Sequence, residues 1–151
     1  MTIRPAITSD LPILLEFEQE IIRAERPFNS TLKDGEIHLY DLKKIMEAER
    51  SVIVVAEIEN EIIGSGFAII KEEPDGFVKH THFAYLGFMF VRPAHRGKGV
   101  SQAIIETLKA WAVDQDIHEI RLQLYDENIA AKKAYQKAGF AGHMLEMRMK
   151  I

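Results

Sequence analysis

Residues 88–101 read FMFVRPAHRGKGVS and join an apolar strand to an amphipathic helix through a basic, glycine-rich loop. Gly97 and Gly99 have no Cβ to hold a ligand away from the backbone, and the first N–H groups of the following helix have no partners within it. Because the helix dipole also favours an anion there, the loop predicts a phosphate-binding turn, with charge added by Arg96 and Lys98. The alternative is a strand-to-helix turn whose glycines only relieve steric strain.

The spacing of this loop excludes two common nucleotide-binding motifs. Gly99 follows Lys98 at the position where a P-loop needs Ser or Thr to hold magnesium. The dinucleotide fingerprint fails as well, because Gln102 stands where its third glycine belongs. The loop therefore predicts a phosphate-bearing ligand of another kind.

Hydrophobic periodicity on both sides of the loop predicts strands and helices without an internal repeat or a linker. The chain is therefore expected to form one domain, 1–151, of the α/β class, with a mixed (α+β) sheet covered by helices. The predicted strands are 2–6, 51–58, 61–71, 80–92, 117–125 and 142–151, and the predicted helices are 11–26, 38–49, 98–115 and 128–138.

Composition restricts the chemistry and the partners. The 151 residues include no cysteine, which excludes disulfides, thiolate metal sites and an acyl-cysteine intermediate. A formal charge of -4 with both signs interspersed argues against nucleic acid and anionic membrane as partners. No apolar run is long enough to cross a bilayer, and Asp10 interrupts any signal-peptide core, so we expect a soluble, cytoplasmic protein.

The loop Arg96–Ser101 follows a strand that ends in Val91-x-Pro93, and residues 128–140 read NIAAKKAYQKAGF. Both segments resemble motifs of the GCN5-related N-acetyltransferases. The loop is similar to the family's Q/R-x-x-G-x-G/A acyl-CoA signature, and residues 128–140 are similar to its second motif, in which Asn opens a helix and Tyr-x-Lys-x-Gly-Phe closes it. The opening segment 3–11 is also similar to the family's first strand and helix, so the resemblance covers essentially the whole chain. Ser101 departs from the final Gly or Ala of the signature, but it is small and keeps its backbone N–H donor.

The resemblance implies a mostly antiparallel sheet in which two parallel strands, 80–92 and 117–125, splay apart to admit CoA. Backbone N–H groups of the loop would hold the pyrophosphate, and the strand edge before it would pair with the pantetheine as an added strand. A bulge near Gly87 would leave one N–H free to polarise the thioester carbonyl. The cofactor-binding residues implied are Met89, Phe90, Val91, Arg96, Gly97, Lys98, Gly99, Val100, Ser101 and Asn128.

The activity implied is transfer of an acetyl group from acetyl-CoA to a primary amine of a small molecule or peptide, by direct attack in a ternary complex. Tyr135 stands where family members carry the tyrosine that acts as general acid, although a core aromatic is the alternative interpretation. A catalytically inactive domain that binds or senses acyl-CoA is the second hypothesis. A phosphate-binding domain unrelated to CoA is the third.

The general base and the partners are less constrained by the sequence. We predict His82 as the base, with His80, Tyr85, Glu18, Glu25 and Glu146 as alternatives. His80 and His82 share one face of a strand, but no third ligand is spaced to complete a site, so no metal is predicted. The acidic segment 16–40 is expected to select the amine. The final strand, 142–151, is expected either to form a homodimer interface or to pack within a monomer.

Overall fold

The computed structural model describes all residues, 1–151, as five strands and four α-helices joined by loops and short 3-10 turns. The strands are β1 (Thr2–Pro5), β2 (Ser51–Ile58), β3 (Glu61–Glu72), β4 (His82–Val91) and β5 (Ile120–Arg121). The helices are α1 (Leu11–Glu25), α2 (Leu42–Glu47), α3 (Val100–Asp114) and α4 (Ile129–Lys137). None of the helices is both long enough and apolar enough to cross a lipid bilayer.

The strands form one sheet in chain order, β1-β2-β3-β4-β5. The first four strands are antiparallel neighbours, whereas β4 and β5 run parallel. The turn between β2 and β3 places Glu59 and Asn60 at φ values of 51° and 68°, as a two-residue hairpin loop requires. The prediction of a mixed sheet covered by helices is therefore confirmed.

Helices cover both faces of the sheet and divide the core in two. On one face, α3 buries Val100, Ile104, Leu108 and Ala112 against residues of β2, β3 and β4. On the other face, the apolar residues of α1 and α2 pack against aromatic residues of β3 and β4; this half of the core contains Leu14, Phe17, Ile21, Leu42, Phe67, Phe88 and Phe90. The side chain of a β4 residue therefore faces either α3 or α1, according to its position in the pleat.

A buried carboxylate on α1 organises the segment before α2. Glu18 is fully buried, and its Oε1 accepts the backbone N–H groups of Leu39 and Tyr40 at 2.8 and 2.9 Å. Its Oε2 lies 2.8 Å from Nδ1 of His38. Because these bonds hold residues 38–40 out of helical geometry, the predicted helix 38–49 is too long. The helix instead begins after Asp41, whose side chain accepts the N–H of Lys44 at 3.1 Å.

The bulge predicted near Gly87 is present in β4. The register of the β3–β4 pairing shifts by one residue between the pairs Ser65↔Phe90 and Phe67↔Gly87, so that two β4 residues lie opposite Gly66. Phe88 adopts a φ of +55°, and the buried Ser65 hydroxyl donates to its carbonyl oxygen at 3.1 Å. A Cβ on Gly66 would lie 2.7 Å from the Met89 sulfur, so glycine is required where the bulge brings this side chain across β3.

Two predicted strands differ from the structure. The predicted strand 117–125 is reduced to Ile120–Arg121, because the chain leaves β4 after two residue pairs. The predicted closing strand 142–151 is absent, and residues 141–151 are exposed and irregular. A strand needs a neighbouring edge to satisfy its backbone groups, and β5 offers a ladder of only two residues.

Substitution of Glu18 by Ala is expected to lower the free energy of unfolding by about 2–4 kcal/mol, because it leaves two backbone donors and His38 without their acceptor. Chemical denaturation measures this loss. Glu16→Ala removes an exposed carboxylate from the same helix and should change stability by less than about 0.5 kcal/mol. Equal effects of the two substitutions would contradict the role given to Glu18.

Candidate active site

A cleft opens where β4 and β5 separate. The two strands pair only at Ala84↔Ile120 and Tyr85↔Arg121, and beyond these pairs β4 continues to Val91 without a neighbour on that side. The backbone edge of residues 86–91 therefore faces the cleft, and it includes Met89, Phe90 and Val91, the residues predicted to pair with pantetheine. An unpaired strand edge is a template for a ligand that offers alternating donors and acceptors.

The glycine-rich loop lies at the end of this edge. Gly97 and Gly99 have φ values of 72° and 82°, in the left-handed region, and a Cβ built on either would meet nothing within 4 Å. Both glycines thus face open space at the N-terminus of α3, where backbone N–H groups attract anions. Arg96 donates from Nε to the carbonyl oxygen of Val91 at 3.0 Å, which ties the loop to the strand.

The other loop residues have distinct positions. Lys98 is exposed, and Ser101 is half-buried in the first turn of α3. The Val100 side chain is buried in the core beneath α3, so only its backbone is available to a ligand. The structure therefore brings Arg96–Ser101 together as one backbone cradle with a cationic outer surface.

Helix α4 carries Tyr135 toward the same cleft. The side-chain oxygen of Asn128 caps the helix by accepting the N–H of Ala131 at 3.1 Å, and it is therefore already used within the protein. At the other end, the Phe140 N–H donates to the Tyr135 carbonyl at 3.0 Å, and the two rings pack edge-to-face at 6.0 Å. Because Phe140 packs on the core beneath α3, these contacts fix the position of Tyr135.

The Tyr135 hydroxyl is a weak acid in this environment. Burial raises the pKa of Tyr135 to about 12, with further contributions from the charges of Glu25 and Tyr85. The phenol therefore keeps its proton throughout the neutral range. The two charges that contribute belong to other elements, Glu25 to α1 and Tyr85 to β4.

Tyr40 completes a cluster of three tyrosines around one carboxylate. Burial raises the pKa of Tyr40, and the charges of Tyr85 and Glu25 raise it further, whereas the backbone amide of Phe88 lowers it. Phe88 belongs to the bulge, and its ring packs edge-to-face on the Tyr40 ring with centroids 5.9 Å apart. We refer to Glu25, Tyr40, Tyr85 and Tyr135 as the Glu25–tyrosine cluster.

The segment after α1 contacts two parts of the C-terminal half of the chain. Phe28 stacks on Tyr125 with ring centroids 6.3 Å apart, and the Asn29 amide donates to the Tyr125 hydroxyl at 2.9 Å. Arg148, in the C-terminal segment, donates to the Thr31 hydroxyl at 2.8 Å. The segment after α1 is thereby held beside the chain that follows β5.

The structure does not bring His82 into the cleft. His82 is the first residue of β4, where its Nδ1 lies 3.0 Å from the Thr81 hydroxyl and its Nε2 lies 4.0 Å from Glu72. Because side chains alternate along a strand, His82 points to the same face of the sheet as Ala84, which packs beneath α3. Tyr85 points to the opposite face, which α1 covers. This position gives no support to His82 as the base that serves an acceptor beside Tyr135.

The other candidate bases also separate in space. Glu18 is committed to the bonds that hold residues 38–40, and Glu146 is exposed in the C-terminal segment. His80 is exposed before β4, and no three His, Asp or Glu side chains are grouped as a metal site. Of the two remaining alternatives, Glu25 is half-buried at the end of α1, and Tyr85 is half-buried at the last residue pair between β4 and β5.

Sequence reasoning missed Tyr40 and did not single out Glu25. Tyr40 reaches the cluster through the bonds to Glu18, 22 residues away, which no local pattern reveals. For Glu25 a signal was available: it lies four residues after Ile21 and seven after Glu18, on the buried stripe of α1. A carboxylate that continues a buried stripe is a candidate for function.

A separate cavity of about 340 Å³ lies between α1 and the end of β4, and Phe17, Arg23 and Arg92 are among its lining residues. The guanidinium of Arg92 is already engaged, since it lies 5.2 Å over the Phe17 ring and donates to the Ile62 carbonyl at 3.0 Å. Phe90 also lines this cavity, but no member of the Glu25–tyrosine cluster does.

Solved structures share this fold. The tetramutant of the BH1408 protein from Bacillus halodurans aligns over all of both chains with a TM-score of 0.89 and 19% identity. A predicted acetyltransferase from Clostridium acetobutylicum, solved with acetyl-CoA, aligns over 99% of this chain and 95% of its own with a TM-score of 0.73 and 20% identity.

Sequence comparison gives the family. The aminoglycoside N(6')-acetyltransferase type 1 of Salmonella typhimurium is 25% identical over 103 residues, which are 68% of this chain and 71% of that protein. The profile of the acetyltransferase (GNAT) family matches residues 15–140 and therefore includes α3, α4 and both motifs. The chain belongs to the acetyltransferase (GNAT) family and is an N-acetyltransferase.

Proposed function

We propose that this protein transfers an acetyl group from acetyl-CoA to a primary amine of a small molecule. The observation that carries the proposal is the continuous path formed by the unpaired edge of β4, from the bulge at Phe88 to the cradle at Arg96–Ser101. One end of this path offers N–H groups for phosphates, and the other end lies at the Glu25–tyrosine cluster. A long ligand with an anionic end and a reactive end fits this layout.

The residues present fit acetyl-CoA in three respects. The open cradle at Gly97 and Gly99 suits a pyrophosphate, with Arg96 and Lys98 adding positive charge. The edge at Met89–Val91 suits the amide groups of pantetheine, which pair as a strand would. The Asn128 side-chain NH₂ is left for a ligand, because only its carbonyl oxygen caps α4.

Tyr135 supplies the proton that the departing sulfur needs. Bound acetyl-CoA would provide the acetyl group as a thioester. The Tyr135 hydroxyl is protonated at neutral pH, because burial raises its pKa to about 12. The bulge takes backbone groups of β4 out of the ladder, and an N–H freed in this way is suited to polarise a carbonyl oxygen. Since the chain has no cysteine, the amine attacks directly.

A small-molecule acceptor is supported by the relatives and by the form of the cleft. The Salmonella relative is named for acetylation of aminoglycosides, which are small molecules with several amino groups. The segment that follows Glu25 is held in place by bonds from Asn29 to Tyr125 and from Arg148 to Thr31, and a fixed segment beside the proposed acceptor site leaves less room for a long chain. Both observations favour a compact amine over an extended peptide.

The C-terminal segment supports a homodimer as the partner arrangement. Met144, Met147, Met149 and Ile151 are each at least 86% exposed, and the last three alternate with Arg148 and Lys150 as in a strand. The same segment of a second copy would offer a strand edge with which residues 142–151 could pair. Such pairing would cover the exposed apolar side chains without a peptide partner.

Sedimentation analysis tests this arrangement. The full chain is expected to sediment as a particle with twice the mass of one chain, which is 17.3 kDa. Deletion of residues 142–151 should give a monomer, because it removes the apolar surface that two copies would bury. A monomeric full chain, or a dimer that survives the deletion, would show that this segment does not join the copies.

Tyr135→Phe tests the proposed chemistry. With acetyl-CoA and an amine substrate, the substitution should lower kcat by about 100-fold, because a positioned general acid contributes this much or more. Thiol release measures the rate, and calorimetry should give an unchanged Kd for acetyl-CoA. In the wild type, the alkaline side of the pH profile should show no decline from Tyr135 until the pH approaches its pKa of about 12. An unchanged kcat in the variant would remove Tyr135 from the mechanism.

A further inference from the structure

We propose that Glu25 binds the ammonium group of the acceptor and accepts the proton that the amine loses before it attacks, so that the enzyme selects small primary amines that are cationic in solution. This inference rests on the proposed function and assigns the acceptor side of the same cleft. It assigns the role of general base to Glu25 on α1 rather than to His82 on β4.

The contacts on either side of Glu25 place it in the mouth of the cleft. One turn earlier on α1, Ile21 packs in the core that contains Phe88, the residue of the bulge. Three residues after Glu25, Phe28 stacks on Tyr125, which belongs to the chain that has left β4. Glu25 therefore lies between the two diverging parts of the sheet, on the side where an acceptor would approach the end of the β4 edge.

Glu25 is the carboxylate of α1 that is half-buried without a partner. Glu18 is satisfied by His38 and two backbone N–H groups, and the exposed Glu20 pairs with Arg23. Glu25 makes neither an ion pair nor a hydrogen bond, and burial raises its pKa. Leaving a partly desolvated carboxylate unpaired costs stability, so its natural complement is a cation that arrives with the substrate.

The tyrosines around Glu25 suit a cation and do not oppose the carboxylate. Burial raises the pKa of both Tyr40 and Tyr85, so their hydroxyls stay neutral and can accept or donate hydrogen bonds. The Tyr85 ring already receives one cation, since Lys71 Nζ lies 4.2 Å from its centroid. A carboxylate beside aromatic rings is a combination that recognises an ammonium group.

The reaction balances with these groups. Glu25 takes one proton from the ammonium group, which frees the lone pair that forms the new C–N bond as the C–S bond breaks. Tyr135 gives its proton to the sulfur, and the nitrogen releases its second proton to solvent. Glu25 then returns its proton to solvent and Tyr135 regains one, so the sum is one amide, one thiol and one proton released. The raised pKa of Glu25 makes it a stronger base than an exposed carboxylate.

The test compares Glu25→Gln with Glu47→Gln. Glu47 is a matched control because it is the last residue of α2, as Glu25 is the last residue of α1, and it is exposed and unpaired. Each substitution removes one carboxylate from a helix C-terminus. The probes are 1,4-diaminobutane and neamine, which are cationic at neutral pH, and aniline, a primary amine that is uncharged there.

Two readouts separate acceptor recognition from turnover. With saturating acetyl-CoA, Glu25→Gln should lower kcat/KM for the cationic amines by about 100-fold, while Glu47→Gln stays within about twofold of the wild type. Calorimetry of the same amines on the CoA-saturated protein should show at least about tenfold weaker binding to Glu25→Gln. The Kd of acetyl-CoA should be the same in all three proteins.

The outcomes distinguish this inference from the proposed function. Wild-type kinetics and amine binding in Glu25→Gln would overturn the role of Glu25 but leave acetyl transfer intact. Acetylation of aniline in preference to the cationic amines, or acetyl-CoA binding without acetylation of either cationic amine, would overturn the acceptor class. Failure of the wild type to bind acetyl-CoA would instead refute the proposed function itself.

Discussion

The separation of β4 from β5 after Tyr85 is the constraint on which the rest of the site depends. Parallel pairing ends after two residue pairs, and this leaves the β4 backbone from residue 86 onward without a neighbour. The bulge at Phe88, permitted by Gly66, shifts the register of that edge beside Tyr40, whose ring packs on the ring of Phe88. The cradle at the start of α3 lies at the far end of the edge, so one opening in the sheet connects the anion site with the tyrosines.

Helix α1 carries two carboxylates that differ in their hydrogen bonding. Glu18 is fully buried and saturated with donors, and it holds Tyr40 against the sheet. Glu25, two turns later, is half-buried and makes neither a hydrogen bond nor an ion pair. A single helix thus provides both the support of the acceptor side and the charge that we assign to acceptor binding. The difference between them is one of hydrogen bonding rather than of residue type.

The sequence was most informative where function depends on local backbone requirements. The left-handed glycines of the cradle, the Asn128 cap of α4 and the bulge next to Gly87 follow from residues that are close in the chain. Packing between distant segments was not accessible: Tyr40 depends on Glu18, and Glu25 on how α1 crosses β4. The strand predicted at 142–151 failed because alternation indicates a pleated surface but not whether an edge is available to pair with it.

Titration calorimetry of acetyl-CoA into the wild type, Arg96→Glu and Arg50→Glu tests the central claim most directly. Arg50 is exposed and distant from the loop in the chain, so its variant repeats the change of charge without altering the cradle. The account predicts one binding site in the wild type and in Arg50→Glu, and loss of binding in Arg96→Glu. Absence of binding in the wild type at millimolar ligand, or equal affinity in all three proteins, would contradict it.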